Sequence, residues 1–355
     1  MKEKCKSKNK DSLKLIIQSI IPNITIQYID EQEMIVSSSY TLYKKNRNKF
    51  DEIITLKVPL VSRLFGKLRL TTRAFRLGIR TIIKLKNGIL LIVADKKIFR
   101  LKDSKASIVF SFKKGFGPLR NGWCIDEKGN CYLGEYFLNN KRKEVVNLYK
   151  SSDNGEKWVV IYTLNDVRHI HCVQYDPFDK LIWVSTGDKN EESKILVSND
   201  EGISWVTIGS GDQKFRNVSF LFTENHVYWG SDAPAKQNYI YRYRRKDGEI
   251  KPLAKVGGPV YYSAILKKEG IKLFATTAEG SSEKKSNKGN RSACIWASRD
   301  GVHWKVLASW QKDVWPYILG YGKILFARGC YDDDLYFTLQ CLKGGDGVSI
   351  QAKVL

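Results

Sequence analysis

Apolar, β-branched and aromatic residues fall in short runs along this chain, each broken by polar turn residues. Val145-Val146-Asn147-Leu148-Tyr149 and Val159-Val160-Ile161-Tyr162, for example, flank Ser151-Ser152-Asp153-Asn154-Gly155-Glu156-Lys157-Trp158. Runs of this length and composition with a Gly/Asp/Asn turn between them predict strand, turn, strand. The polar segment recurs as Ser198-Asn199-Asp200-Glu201-Gly202-Ile203-Ser204-Trp205 and, one residue shorter, as Ser298-Arg299-Asp300-Gly301-Val302-His303-Trp304. Each position has a physical task. The Asp accepts hydrogen bonds from turn N–H groups, the Gly takes a backbone conformation that a Cβ disfavours, and the Trp fixes the turn to the core.

A repeated sheet unit implies stacking or radial repetition, and the rest of the chain divides into similar units. Seven are discernible: Ile24 to Leu56, Ile79 to Lys113, Asn121 to Leu164, His169 to Gly211, Arg216 to Val256, Val260 to Trp310 and Tyr317 to Leu355. In four of them the second strand can be overlaid, as Cys131-Tyr132-Leu133-Gly134-Glu135, Ile182 to Asp188, Val227 to Asp232 and Leu273 to Glu279, each an apolar run closing on small residues and a carboxylate. The predicted fold is all-β: one propeller of four-stranded blades, seven in number with six as the alternative. It occupies residues 24–355, after a charged N-terminal segment 1–23 and with a basic insertion at 58–80.

The three turn segments resemble the Asp-box, or BNR repeat, of sialidase-like β-propellers, in which the box joins the two outer strands of a blade. The run from Arg168 to Asp188, Gly211 to Arg216 and Trp229-Gly230-Ser231-Asp232 are similar to uncharacterised prokaryotic BNR-repeat proteins. Some polysaccharide lyases that cut uronate chains also look like such propellers, and there His and Tyr move the proton while Arg neutralises the uronate. The Phe/Tyr-Arg-Ile-Pro motif and the Tyr/Glu nucleophile pair of sialidases have no counterpart here.

Blade topology predicts where a site should lie. The innermost strand and its neighbour are antiparallel, so the start of the first and the end of the second open on one face. Inner-strand starts carry Arg80, Arg120, Arg168, His169, His171, Arg216, Tyr261, Tyr262 and Tyr317; second-strand ends carry Glu135, Tyr136, Asp188, Asp232, Glu279 and Arg328. Strand alternation turns His169 and His171 to one side, and Asp188 returns beside them. Two imidazoles and a carboxylate suit a divalent metal, zinc or manganese. They equally suit a general acid or base, or a purely structural role. A guanidinium binds a carboxylate through two parallel hydrogen bonds, so Arg120, Arg168, Arg216 and Arg328 are expected either to clamp an acidic sugar or to pair with Asp188, Asp232 or Glu135. The tyrosines, Tyr136 and Tyr261 among them, would stack on sugar rings or exchange a proton.

The sequence-derived site therefore has His169, His171 and Tyr261 as catalytic candidates. Arg120, Glu135, Tyr136, Arg168, Asp188, Arg216, Asp232 and Arg328 are its substrate contacts. The expected function is engagement of an acidic glycan by a lyase or glycosidase, or else by a non-catalytic propeller that binds a glycan or a protein.

The formal net charge of +23 favours anionic partners. The basic residues are spread along the chain without a helix-turn-helix, RNA-recognition or zinc-finger signature, which argues against specific nucleic-acid binding. The exception is Val58 to Arg80, where Arg63, Lys67, Arg69, Arg73, Arg76 and Arg80 alternate with Leu and Phe. This stretch reads as an amphipathic basic helix, either an elaborated solvent-facing loop or a surface that meets an anionic polymer or membrane. Leu13 to Pro22 is interrupted by Lys14 and Gln18 and has no small-residue cleavage site, so neither a signal peptide nor a membrane span is expected. Seven cysteines without CxxC spacing fit a reducing compartment. The expectation is a cytoplasmic monomer.

Overall fold

A computed structural model of the protein describes residues 13–47, 49–234, 236–279 and 291–355. The charged Met1 to Lys10 stretch and the polar Gly280 to Gly289 stretch lie outside the described residues. The chain forms a seven-bladed β-propeller in which every blade holds four antiparallel strands, drawn in blades 1 to 6 from the sequence units above. Blade 4 is representative, running Ile170–Asp176, Leu181–Thr186, Lys194–Ser198 and Val206–Ser210 from the axis outward.

The ring closes by mixing the chain's ends. Leu15–Pro22 is the outermost strand of blade 7, paired antiparallel to Val348–Val354 from Leu15 with Val354 to Pro22 with Val348. The propeller therefore begins inside the segment expected to stand apart as residues 1–23. In blade 1, Arg328–Gly329 adds a short parallel strand beside Tyr28–Ile29 and ties blade 7 to blade 1 a second time.

Burial follows the alternation. The core is a set of inter-blade layers, such as Trp183 of blade 4 against Phe220 of blade 5 with ring centroids 5.3 Å apart. Close packing of neighbours fixes some residue choices. A Cβ on Gly134, at the end of blade 3's second strand, would come within 2.4 Å of Ile170 Cγ2 on blade 4, so only glycine fits.

The repeated turns sit between third and fourth strands, on the outer side of their blades. In the second, Asp200 Oδ1 accepts from Ser198 Oγ (2.8 Å) and Ser204 N (2.9 Å), Gly202 N donates to Ser198 Oγ (2.8 Å) with Gly202 at φ +92°, and Trp205 Nε1 donates to Gly202 O (3.1 Å). The first copy repeats this network around Asp153, with Trp158 Nε1 donating to Gly155 O at 3.2 Å. In the third, one residue shorter, Asp300 still caps Val302 N and His303 N at 2.8 Å, but Trp304 Nε1 finds no partner among the described residues. The missing residue moves the ring off its carbonyl.

The basic insertion folds as two short helices, α1 (Leu60–Phe65) and α2 (Arg69–Phe75), between blade 1 and blade 2.

Candidate functional site

The inner strands share a local device. Their pairing with the second strand shifts by one residue near the start, between Ile26 and Tyr28, Ile79 and Thr81, Ile170 and Cys172, and Val260 and Tyr262. A β-bulge leaves one residue unpaired and re-aims its side chain. The unpaired residues are Gln27, Arg80, His171 and Tyr261, so four blades deliver a polar side chain from the same place. In blade 5 the shift spans Asn217 to Phe220.

Around His171 the expected convergence forms. Ile170 N donates to Glu135 O at 2.9 Å, which seats blade 4 against the end of blade 3's second strand and lays the Tyr136 ring over His169, centroids 4.2 Å apart. His169 Nδ1 faces the Phe137 carbonyl at 3.1 Å and so carries the proton there, leaving Nε2 as a lone pair. That atom lies 2.7 Å from His171 Nε2, and both face Asp188 Oδ1, at 3.5 Å and 3.3 Å. On the far edge of the second imidazole, His171 Nδ1 faces Asp232 Oδ2 at 3.5 Å. Both histidines are 2% exposed.

Asp188 is the hub. It accepts from Arg168 Nη1 and from Arg216 Nη2, the latter at 3.0 Å, and its backbone carbonyl accepts from Gln213 and Arg216. Arg216 Nε also reaches Asp232 Oδ2 at 3.3 Å. Burial alone would raise the Asp188 carboxyl, but the histidine contacts and the Arg216 charge hold it well below the usual carboxylate range. Asp232, buried and beside Glu279 and Asp188, is pushed up to about 7 against the pull of Arg216. Burial takes His171 down to about 3 despite Asp188, so the imidazole is neutral near pH 7. Tyr261 donates to Glu279 Oε2 at 3.5 Å; burial, with Asp232 and Glu279 nearby, drives its phenol well above the ordinary value. Burial also raises Tyr136, to about 12. Neither tyrosine is a ready base.

The triad fits a metal. Two Nε2 lone pairs and a carboxylate oxygen converge, and each Nδ1 edge faces an acceptor, Phe137 O or Asp232, as the outer partners of metal-bound histidines do. His171 Nδ1 is buried with no hydrogen-bond partner among the described residues, and a proton fixed on it would be directed at Asp232 Oδ2, 3.5 Å away.

Other candidates are elsewhere. Arg120 is buried and crosses the axis from blade 3 to blades 1 and 7. It donates to Ile26 O (3.1 Å), Gln27 O (3.1 Å), Gln27 Oε1 (3.0 Å) and Phe326 O (3.2 Å). Arg328 runs the opposite way, to the carbonyls of Arg120 and, at 3.0 Å, Trp123. These guanidiniums are struts through the hub, bound to carbonyls, and the four-arginine clamp is not formed. Glu135 is held on its own blade by Asn147 N (2.9 Å) and Tyr149 OH (3.1 Å), turned away from the mouth.

Two residues at this end of the barrel escaped sequence reasoning: Gln27, which anchors Arg120, and Lys323, whose Nζ sits 5.8 Å from the Tyr261 ring centroid. Gln27 had a signal. Ile26-Gln27-Tyr28, Ile79-Arg80-Thr81, Ile170-His171-Cys172 and Val260-Tyr261-Tyr262 align as a β-branched residue followed by a polar or phenolic one at each bulge.

No family model and no curated protein matches the chain. Among solved structures it is similar to an oligogalacturonate lyase in complex with manganese (TM-score 0.60, 10% identity, 97% of this chain and 91% of that one). It is also similar to an oligogalacturonate lyase from Vibrio parahaemolyticus (0.58, 11%, 95% and 90%) and to a chain of the mitotic checkpoint complex (0.56, 8%, 95% and 94%). At such identities these likenesses show the fold alone.

Proposed function

We propose that this chain is a BNR-repeat propeller acting on an acidic sugar chain as a lyase, with a divalent-metal centre at His169, His171 and Asp188. The carrying observation is the meeting of the two Nε2 atoms with Asp188 Oδ1 while both Nδ1 edges face acceptors. Manganese or zinc held by those three side chains would supply a localised positive charge able to bind and neutralise a sugar carboxylate, which makes the adjacent C–H more acidic. Arg168 and Arg216 keep Asp188 ionised, and Arg216 also bears on Asp232, which orients His171 from behind. Arg80, Lys323 and Arg168, each half-buried, add positive charge at this end of the barrel. Tyr261, its phenol kept protonated and directed at Glu279, presents a hydrogen-bond donor to a sugar in the mouth. Likeness in fold to oligogalacturonate lyases, one of them in complex with manganese, supports the substrate class. The buried free thiols of Cys124, Cys131 and Cys172 support a reducing, cytoplasmic setting.

A specific observation favours a second reading, a non-catalytic glycan binder: both histidines are 2% exposed and the two mouth arginines are engaged by Asp188.

One set of measurements separates them. Titration calorimetry and metal analysis of the full chain with Mn²⁺ and Zn²⁺ should show a bound ion that His171→Ala abolishes. Asp232→Asn should weaken it about 10- to 100-fold by loosening the imidazole. A panel of polyuronates should yield unsaturated, ultraviolet-absorbing ends with wild type and none with His171→Ala. Absence of metal uptake by wild type removes the metal centre. Glycan binding without unsaturated or new reducing ends removes the enzyme and leaves the binder.

A further inference from the structure

The helical insertion carries an inference independent of the metal centre and of the sugar. Every residue of α1 and α2 is exposed or half-buried, including Leu60, Val61, Leu64, Phe65 and Phe75, most of them around 60% exposed, and so is Leu68 between them. Helices this short are not stable alone and ordinarily dock through an apolar face. Here docking is polar. Arg73 Nη2 lies 2.6 Å from Asp313 Oδ2 and 2.7 Å from Asp346 Oδ2, Arg69 Nη2 donates to Asn23 Oδ1 at 2.6 Å, and the buried Gly66 lets the turn close on Ser39 and Tyr40. The apolar side chains therefore face outward.

A second element extends the patch. The segment against α2 presents Val314 and Ile318, each 91% exposed, and the half-exposed indole of Trp315. A cleft of about 500 Å³ between the two is walled by Leu70, Val314 and Trp315, with Arg69 and Lys343 on its lining and Asp313 and Asp346 there paired to Arg73. Isolated apolar side chains on a surface mean little, but a contiguous patch of this extent marks an interaction site.

Charge selects the partner. From Lys57 to Arg80 there are seven cations and no acidic residue, and Lys57, Arg63, Lys67 and Arg69 are exposed among the Leu and Phe side chains. Apolar side chains flanked by Lys and Arg, with a Trp at the edge, match the boundary between acyl chains and anionic headgroups. The chain's formal charge of +23 adds attraction at longer range.

We propose that the α1–α2 hairpin and the Val314 to Ile318 segment form a docking surface for an anionic lipid bilayer. The insertion joins an outermost strand to the start of the next inner strand, so it lies on the face where the mouth opens. Docking turns the mouth toward the bilayer.

The test is co-sedimentation of the full chain with phosphatidylcholine vesicles, with and without phosphatidylglycerol. The chain should pellet with the anionic vesicles, and added salt should release it. The double substitutions Leu64→Ser with Phe65→Ser, and Arg63→Gln with Lys67→Gln, should each weaken binding at least about tenfold. Neither should lower the melting temperature, since none of the four side chains is buried. The proposal is overturned if wild type stays in the supernatant at low salt, or if both variants pellet as wild type does. It is equally overturned if Leu64 and Phe65 instead support self-association measured by light scattering, without vesicle binding.

Discussion

His171 and Arg120 show how one kind of position produces two outcomes. Both stand near the start of an inner strand. His171 occupies a bulge and turns toward Asp188 and the mouth, whereas Arg120 reaches through the hub to carbonyls on blades 1 and 7. Alternation along the strand was enough to pair His169 with His171, and an antiparallel return was enough to bring Asp188. For Arg120 and Arg328, a long side chain at a narrow axis has carbonyl partners within reach on blades remote in sequence, and no local pattern announces them. Removing such a guanidinium leaves several buried carbonyls unpaired. Arg120→Ala should cost on the order of 3 kcal/mol or more in denaturant unfolding, and Arg168→Ala, half-exposed at the mouth, much less; comparable losses for the two would remove the strut.

At the scale of the element, the Ser-x-Asp turns were legible because every bond in them is local. Their titration follows from the same bonds. Hydrogen bonds from the Ser204 hydroxyl and backbone and from Ser198 hold Asp200 down to about 2, below its ordinary 3.8. With a depressed folded value, its stabilisation is complete above the ordinary value and is lost as pH falls through about 2. Asp200→Asn should therefore melt below wild type at pH 6, and the gap should close on acidification to pH 2. A gap unchanged with pH would mean that the carboxylate charge contributes nothing to the turn. The insertion was legible as basic and amphipathic, but it forms two short helices rather than one, because Gly66 closes on Ser39 and Tyr40 and breaks the run.

For the whole molecule, closure is the decisive event. The strand Leu15–Pro22 covers Val348–Val354, an edge that would otherwise stand open. A chain lacking residues 1–22 should unfold at lower temperature and associate at high concentration, as read by calorimetry and light scattering. Unchanged melting would mean that blade 7 is stable with three strands. The sequence by itself determined the propeller and its repeat units, the turn register and the meeting of His169, His171 and Asp188 at one end of the barrel. These depend on periodicity and on contacts within a few residues. Tertiary structure alone decided that the N-terminal strand completes blade 7, that Arg120 and Arg328 span the hub while Arg168 and Arg216 share Asp188, and that burial leaves His171 neutral with Asp232 near 7 behind it. Those outcomes depend on which residues from distant parts of the chain face one another across a closed ring, and on how much water that closure removes.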